Sequence, residues 1–335
     1  MQNELYQTLD KLLAGLNVPA NIRALNDGGQ ADALWQPLQQ SGFLDVLVPQ
    51  DADGAGLDWA QAWEVLFAAG RHGLPMPVGT TVFARALLAT LGHALPGGAI
   101  TASGFVQHAP SGEMVVRDLP GARLASHALV QDHDTVYLLP LADATLTDVG
   151  GHGCFDGQAS WPRAVVNQSV AGPAERAMVA HGVALSLAIQ LAGVADRVFE
   201  MTLTYANDRV QFGKPIGKFQ ALQQQIAEMA ERVYGARMAS QIGSQAQGWQ
   251  PSFEAAEVAK AQTSAAAARV AAIAHTVHAA IGVTHEYDLQ LYTRRLYEWA
   301  RLGGGAHYWS RIIGQTAMSE PNLLDFVRRR VFQEG

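Results

Sequence analysis

The residues most able to do chemistry lie in one stretch, Tyr205-Ala-Asn-Asp-Arg-Val-Gln-Phe-Gly-Lys-Pro-Ile-Gly-Lys-Phe-Gln220. It places Arg209, Gln211, Gly213 and Gly217 in a break between two long helical patterns. A guanidinium fork beside free backbone N–H groups at a helix start suits a diphosphate. A plain interhelix turn capped by the Arg fits the same residues. Other motifs exclude more than they suggest. No GxGxxG follows a strand and there is no Walker loop or GxSxG elbow. His275 and His278 are spaced as HxxH, but no Glu or third ligand stands at metalloprotease spacing, so no metal site is expected. The Gly303-Gly-Gly305 run reads as a helix interruption.

The elements that must position these residues fall into three zones. Residues 1–100 read as helices broken by loops, with Trp59, Trp63, Leu66 and Phe67 on one helical face and Pro49–Gly56 as a loop. Residues 101–172 carry short β-type runs at Met114–Val116, Ala128–Val130 and Thr135–Leu139, separated by Asp, Pro and Gly, and predict a small, mostly antiparallel β domain. Residues 173–335 read as long helices. Phe219, Leu222, Ile226, Met229 and Val233 recur at spacings of 3 and 4, the pattern of a helix packed along another helix. Glu254–Ala280 is Ala-rich, and breaks near Gly213–Gly217, Gly248–Pro251 and Gly282 delimit an up-and-down four-helix bundle. The predicted class is α+β.

At 335 residues the chain is long enough for more than one domain and a sizeable core. With 49% hydrophobic and 16% charged residues it is not a disordered chain. Lys and Arg total 23 against 30 Asp and Glu, a net charge of -7, which disfavours nucleic acid or an anionic membrane as partner. The N-terminal residues lack the basic leader and apolar core of a signal peptide. Ala177–Ala195 carries no charge, and its Ala, Gly, His181, Ser186 and Gln190 read as a buried helix rather than a membrane span. The single cysteine, Cys154, excludes an intrachain disulfide and fits a cytoplasmic protein.

Residues 209–220 resemble the R-x-x-F-G-x-x-[IL]-x-x-[FH]-Q segment of acyl-CoA dehydrogenases. Leu34-Trp35 through Gly42, Pro49 and Gly54–Leu57 is similar to the family's N-terminal pattern. Leu119–Ala125 resembles the entry to its later β-strands, and Ala259-Lys260 with His278–Arg295 resembles its "AK…HGGIGFTxEHDLHLYxRR" stretch. The resemblance implies an N-terminal helical domain, a middle β domain and a C-terminal four-helix bundle. It also implies FAD, an acyl-CoA substrate, an electron acceptor such as an electron-transfer flavoprotein, and oligomeric assembly. Carried over position by position, it assigns Arg209, Gln211, Phe212, Phe219, Gln220 and Gly282 to flavin contact. At the turn before Gly282, Ala279 and Ala280 replace the family's glycines, and Thr276 stands where a Gln is usual. Arg294 is expected to be structural and paired with Glu286.

Three departures matter. The family's TEPxAGSD and Trp-x-Thr segments are missing near residues 100–119, where Val116-Arg-Asp-Leu119 stands instead. Removing an α-proton from a thioester needs a nearby carboxylate. Counting from Gly282 to the usual Glu position lands on Gly303, and counting back from Arg209 to the alternative position lands on Val183. His181 lies two positions from Val183 on another face, and Glu298 is the nearest candidate carboxylate to Gly303. The pattern resembles the degenerate subunit of heteromeric bacterial acyl-CoA dehydrogenases of lipid or steroid degradation. Such a chain would lack the catalytic Glu and complete a homologous subunit's FAD site. Two alternatives are an active homomeric enzyme with a displaced base and a flavin-free, non-enzymatic scaffold.

Overall fold

Asp58 accepts the backbone N–H of Gln61 while the Gln61 side chain accepts that of Asp58. This capping box starts α4 (Trp59–Arg71), which buries Trp59, Trp63, Leu66 and Phe67. The computed structural model describes residues 4–332. Its N-terminal helices are α1 (Glu4–Gly15), α2 (Val18–Asn26), α3 (Asp32–Gln40), α4 and α5 (Val78–Thr90), and Pro49–Gly56 is a loop around one 3-10 turn.

The middle of the chain holds eight strands: β1 (Ile100–Ser103), β2 (Val106–His108), β3 (Met114–Leu119), β4 (His127–Asp132), β5 (Thr135–Pro140), β6 (Thr145–Asp148), β7 (Gly157–Trp161) and β8 (Val170–Pro173), with the short α6 (Arg163–Gln168) before the last. They form two four-stranded sheets, ordered β1-β4-β5-β8 and β2-β3-β7-β6. Every ladder in them is antiparallel except β1–β4, which is parallel. The alternating inward residues Met114, Val116, Ala128, Val130, Leu139, Ala159 and Trp161 form this region's own core.

The C-terminal part comprises α7 (Met178–Asp208), a two-stranded hairpin of β9 (Val210–Gln211) and β10 (Lys214–Pro215), α8 (Gln220–Gly243), α9 (Phe253–His278), α10 (Leu289–Arg301), α11 (Ala306–Ser319) and α12 (Leu323–Phe326). α7 packs against α8, α9 and α10, and also against α4 and α5. Its apolar window lies wholly inside the protein, as expected of a core helix. Small residues set the spacing here. A Cβ on Gly193 of α7 would lie 2.2 Å from the Phe67 carbonyl of α4. The Ala-rich face of α9 likewise lets α8 approach, with a Cβ on Gly243 placed 2.7 Å from that of Ala259. The apolar stripe on α8 is not covered evenly. Met229 and Val233 are buried, whereas Phe219, Leu222 and Ile226 are half-buried, because the helix's N-terminal half runs along the edge of the bundle.

Candidate functional site

A cleft of about 490 Å³ opens between the β-sheets and the helical bundle. Gly104, Phe105, Val106 and Gln107 at the β1–β2 connection, Arg117 and Asp118 of β3, Arg301, the Gly303–Gly304 turn and Tyr308 line it. An adjoining cleft of about 340 Å³ shares Gly104, Phe105, Val106 and Tyr308 and reaches Arg176 and Asp132. Phe105 and Tyr308 meet edge to face, with ring centroids 5.2 Å apart, on the ridge between the two.

The Gly303–Gly305 turn is held from two sides. Trp309, wholly buried, donates its Nε1–H to the Gly303 carbonyl at 2.9 Å. Lys260 of α9 is also wholly buried, and its ammonium donates to the Trp299 and Ala300 carbonyls at 2.8 and 3.2 Å and to Ser264 Oγ at 2.8 Å. It thereby pairs carbonyls at the end of α10 that the helix itself leaves unbonded. Burial drives the Lys260 pKa down to about 7. Gly303 and Gly304 take left-handed backbone angles, φ +62° and +85°.

The two positions singled out for a carboxylate come together at this turn. A Cβ on Gly303 would stand 3.0 Å from Val183 Cγ1 and 3.1 Å from Leu187 Cδ1 of α7. Space that a run of glycines suggests is therefore already filled by the aliphatic side chains of α7. His181, on another face of the helix as expected, is committed elsewhere. Its Nε2 meets Glu257 Oε1 at 2.9 Å, its Nδ1 meets the Ala177 carbonyl at 2.8 Å, and its ring stacks on Phe253 at 4.0 Å.

Glu298 is not among the residues that line the cleft and is only 7% exposed. Its Oε2 accepts from Arg295 Nη1, and Arg295 Nη2 donates to the Gly153 carbonyl at 3.0 Å. Ligand atoms of Glu298, Cys154 and Asp156 lie within 4.8 Å of one another. The Cys154 thiol donates to Asp156 Oδ2 at 3.5 Å, and Arg301 Nη2 stands 3.6 Å from the same oxygen. Burial raises the pKa of Glu298 to about 6 against the pull of Arg295. It also raises the thiol of Cys154 to about 11, helped by the charge of Asp156. Arg295 and Arg301 already supply countercharge to these acids. Their work is to fasten the β6–β7 loop to α10.

Arg209 ends α7, and Arg209, Gln211 and Phe212 are exposed on the β9–β10 hairpin. Phe212, at φ +52°, is 92% exposed and touches Phe219 edge to face at 6.2 Å. Gln220 is exposed at the first turn of α8. The hairpin thus projects a guanidinium and an aromatic ring away from its own bundle. Gly282 differs: it is buried, and a Cβ there would meet His278 Cβ and Leu289 Cδ2 at 3.0 Å. Close packing between α9 and α10 accounts for that glycine. Burial lowers the pKa of the neighbouring His275 and His278, and each has one buried ring nitrogen without a hydrogen-bond partner. Arg294 does not pair with Glu286. It donates to the His152 carbonyl and to Gln290 Oε1, both at 2.9 Å, because it points toward the β6–β7 loop rather than back along its own connection.

The slot between the β1–β2 connection and α7 is closed. A Cβ on Gly104 would lie 2.7 Å from that of Ala180, so no flat ring fits between them without separating the sheet from the helix. The residues do not form a flavin-ring site at this contact, whereas the exposed hairpin suits a diphosphate held on another surface. Arg117, Asp118, Arg301 and Tyr308 carry most of the cleft's polar structure, and no motif marks them. Lys260, which braces the Gly303 turn from behind, did leave a signal, as the Lys of the Ala259-Lys260 pair.

The family profile described as acyl-CoA dehydrogenase, C-terminal domain, matches residues 176–317. Acyl-CoA dehydrogenase IpdE2 of Mycobacterium tuberculosis (strain ATCC 25618 / H37Rv) is 30% identical over 319 residues, 89% of this chain and 91% of that protein. Among solved structures, the ChsE4–ChsE5 complex from Mycobacterium tuberculosis has a TM-score of 0.79 at 21% identity, covering 96% of this chain and 99% of that one. The Tcur3481–Tcur3483 steroid ACAD also has a TM-score of 0.79, at 22% identity over 94% of this chain and 97% of that one. At these identities the likeness to solved structures concerns the fold.

Proposed function

The chain belongs to the acyl-CoA dehydrogenase family of oxidoreductases, and from that premise we propose that it is a half-site subunit. A homologous partner would supply the base and most of the flavin groove for α,β-dehydrogenation of an acyl-CoA thioester. The observation that carries the reading is the contact of Gly303 with Val183, which puts both expected carboxylate positions in one aliphatic patch. A base contributes roughly 10²–10⁴-fold, so a site without one is a poor catalyst of its own.

The cofactor in this reading is FAD, which when bound supplies the hydride acceptor. This chain's part is to complete its binding across the subunit boundary. Arg209, which has no ion-pair partner among the described residues, donates to the diphosphate. Gln211 adds a polar side chain, and Phe212 and Phe219 shield the contact from water. Gly282 holds the turn behind them through its packing. The paired chains of the ChsE4–ChsE5 complex and of the Tcur3481–Tcur3483 steroid ACAD, which share the fold, support a hetero-oligomer acting on a bulky acyl group. An electron-transfer flavoprotein is the proposed acceptor.

The test is to purify the chain alone and with its homologous partner. Alone, it should neither reduce flavin with acyl-CoA nor turn over with an electron acceptor; together, both should occur. Full turnover by the chain alone would sink the half-site reading. One observation favours a second reading, an active homomeric enzyme: the carboxylate of Asp118 lines the cleft. Turnover by the chain alone that Asp118→Asn abolishes would establish it.

A further inference from the structure

Consecutive side chains of a regular strand point to opposite faces. β3 breaks this rule where its pairing with β7 slips between Val116 and Leu119. Asp118, within the slip, takes a left-handed φ of +54°. Arg117 and Asp118 are consequently both exposed and both line the 490 Å³ cleft. A bulge that re-aims side chains beside a cleft, with a non-glycine residue held in that conformation, is characteristic of a built recognition site.

The charges are not evenly committed. Asp118 Oδ1 accepts from Arg301 Nη1 at 2.9 Å, so that carboxylate is ion-paired across the cleft. The other guanidinium nitrogen of Arg301 is the one facing Asp156. Arg117 has no ion-pair partner among the described residues. Around it, Phe105 and Tyr308 supply aromatic walls, and Gly303 and Gly304 give a floor without side chains. The cleft therefore combines apolar surface with one uncommitted cation, which is the complement of an apolar group ending in an anion.

We propose that this cleft binds an acyl-CoA whose acyl group bears a second, free carboxylate, and that Arg117 receives that carboxylate. The inference rests on the preceding reading only in taking acyl-CoA thioesters as the ligand class. A phosphate of coenzyme A is the less apt occupant, since aromatic walls and a bare glycine floor would contribute little to holding it.

Suberyl-CoA and octanoyl-CoA have the same chain length and differ in the terminal carboxylate. Titration calorimetry of the full chain with each, and with coenzyme A, separates the possibilities. Suberyl-CoA should bind at least about tenfold tighter than octanoyl-CoA, the scale of one charge-assisted hydrogen bond. Arg117→Ala should bring the ratio close to one, and Arg117→Lys should retain part of it. Circular dichroism confirms that the variants are folded, which an exposed strand position favours. Equal binding of the two esters, a preference that survives Arg117→Ala, binding matched by coenzyme A alone, or no binding would each overturn the proposal. The flavin content of the co-purified complex reads the half-site function separately. Its loss in Arg209→Ala would leave that reading standing even if the cleft shows no carboxylate preference.

Discussion

Gly303→Ala should destabilise the protein by about 2–5 kcal/mol, and the amount can be assembled from two sources. The backbone at 303 has φ +62°. A residue with a side chain pays about 1–2 kcal/mol for that left-handed conformation. The new Cβ would also stand 3.0 Å from Val183 Cγ1 and 3.1 Å from Leu187 Cδ1, in a buried face of α7. Overpacking of this kind costs roughly 1–3 kcal/mol. The two sources can be separated because only the second depends on the neighbour. Val183→Ala should relieve the contact but not the backbone cost, so a double-mutant cycle in urea should return a favourable coupling of about 1–2 kcal/mol. Gly303→Glu should be worse than Gly303→Ala, since it presses a carboxylate against aliphatic groups, and it should not create a working base. If Gly303→Ala unfolds within 0.5 kcal/mol of the wild type, the turn is not locked as described. The carboxylate position is then not structurally closed.

Three further outcomes are expected. Arg209→Ala should lower flavin content in the assembled complex while leaving the melting temperature nearly unchanged, as absorbance and thermal unfolding together will report; a fall in melting temperature at full flavin occupancy would make Arg209 a helix cap. Glu298 has its pKa raised to about 6 in the fold, so the folded state binds more protons, and the wild type should lose stability as pH rises from about 4.5 to 6, by about 2 kcal/mol in all. Glu298→Gln should be less stable throughout but lack that slope, and an identical slope in the variant would contradict the assignment. Lys260 has its pKa lowered to about 7, so above that pH the unfolded chain holds the extra proton, and stability relative to Lys260→Met should rise between pH 7 and 10 by up to about 1.4 kcal/mol per unit; parallel pH curves would show that Lys260 stays charged.

The parts of the fold legible in the sequence are those with a period. Trp59–Phe67, the β-type runs that became β3, β4 and β5, and the stripe on α8 each announce their element through side-chain spacing. The parallel β1–β4 pairing was not legible, because a parallel partner lies far away in sequence and no turn residue marks it. The polar architecture of the cleft was hidden for a related reason. In the sequence Arg117 and Asp118 follow the Met114–Val116 run as turn-type residues, and only the slipped register of β3 shows that they share a face. Arg294 shows the opposite hazard: sequence proximity suggests Glu286, but the partner group is a carbonyl brought in from the β6–β7 loop.

The single thiol of the chain is buried at the seam where that loop meets α10, hydrogen-bonded to Asp156 and held protonated near neutral pH. A thiol-specific reagent can reach it only when the seam parts. The rate of labelling at Cys154 therefore measures how often the β-sheets lift from the bundle, without any engineered probe. Labelling as slow as global unfolding would mean that sheets and helices separate only when the whole molecule does. Faster labelling would assign the β-sheets a local opening of their own, with a free energy read directly from the ratio of the rate to that of an unprotected thiol.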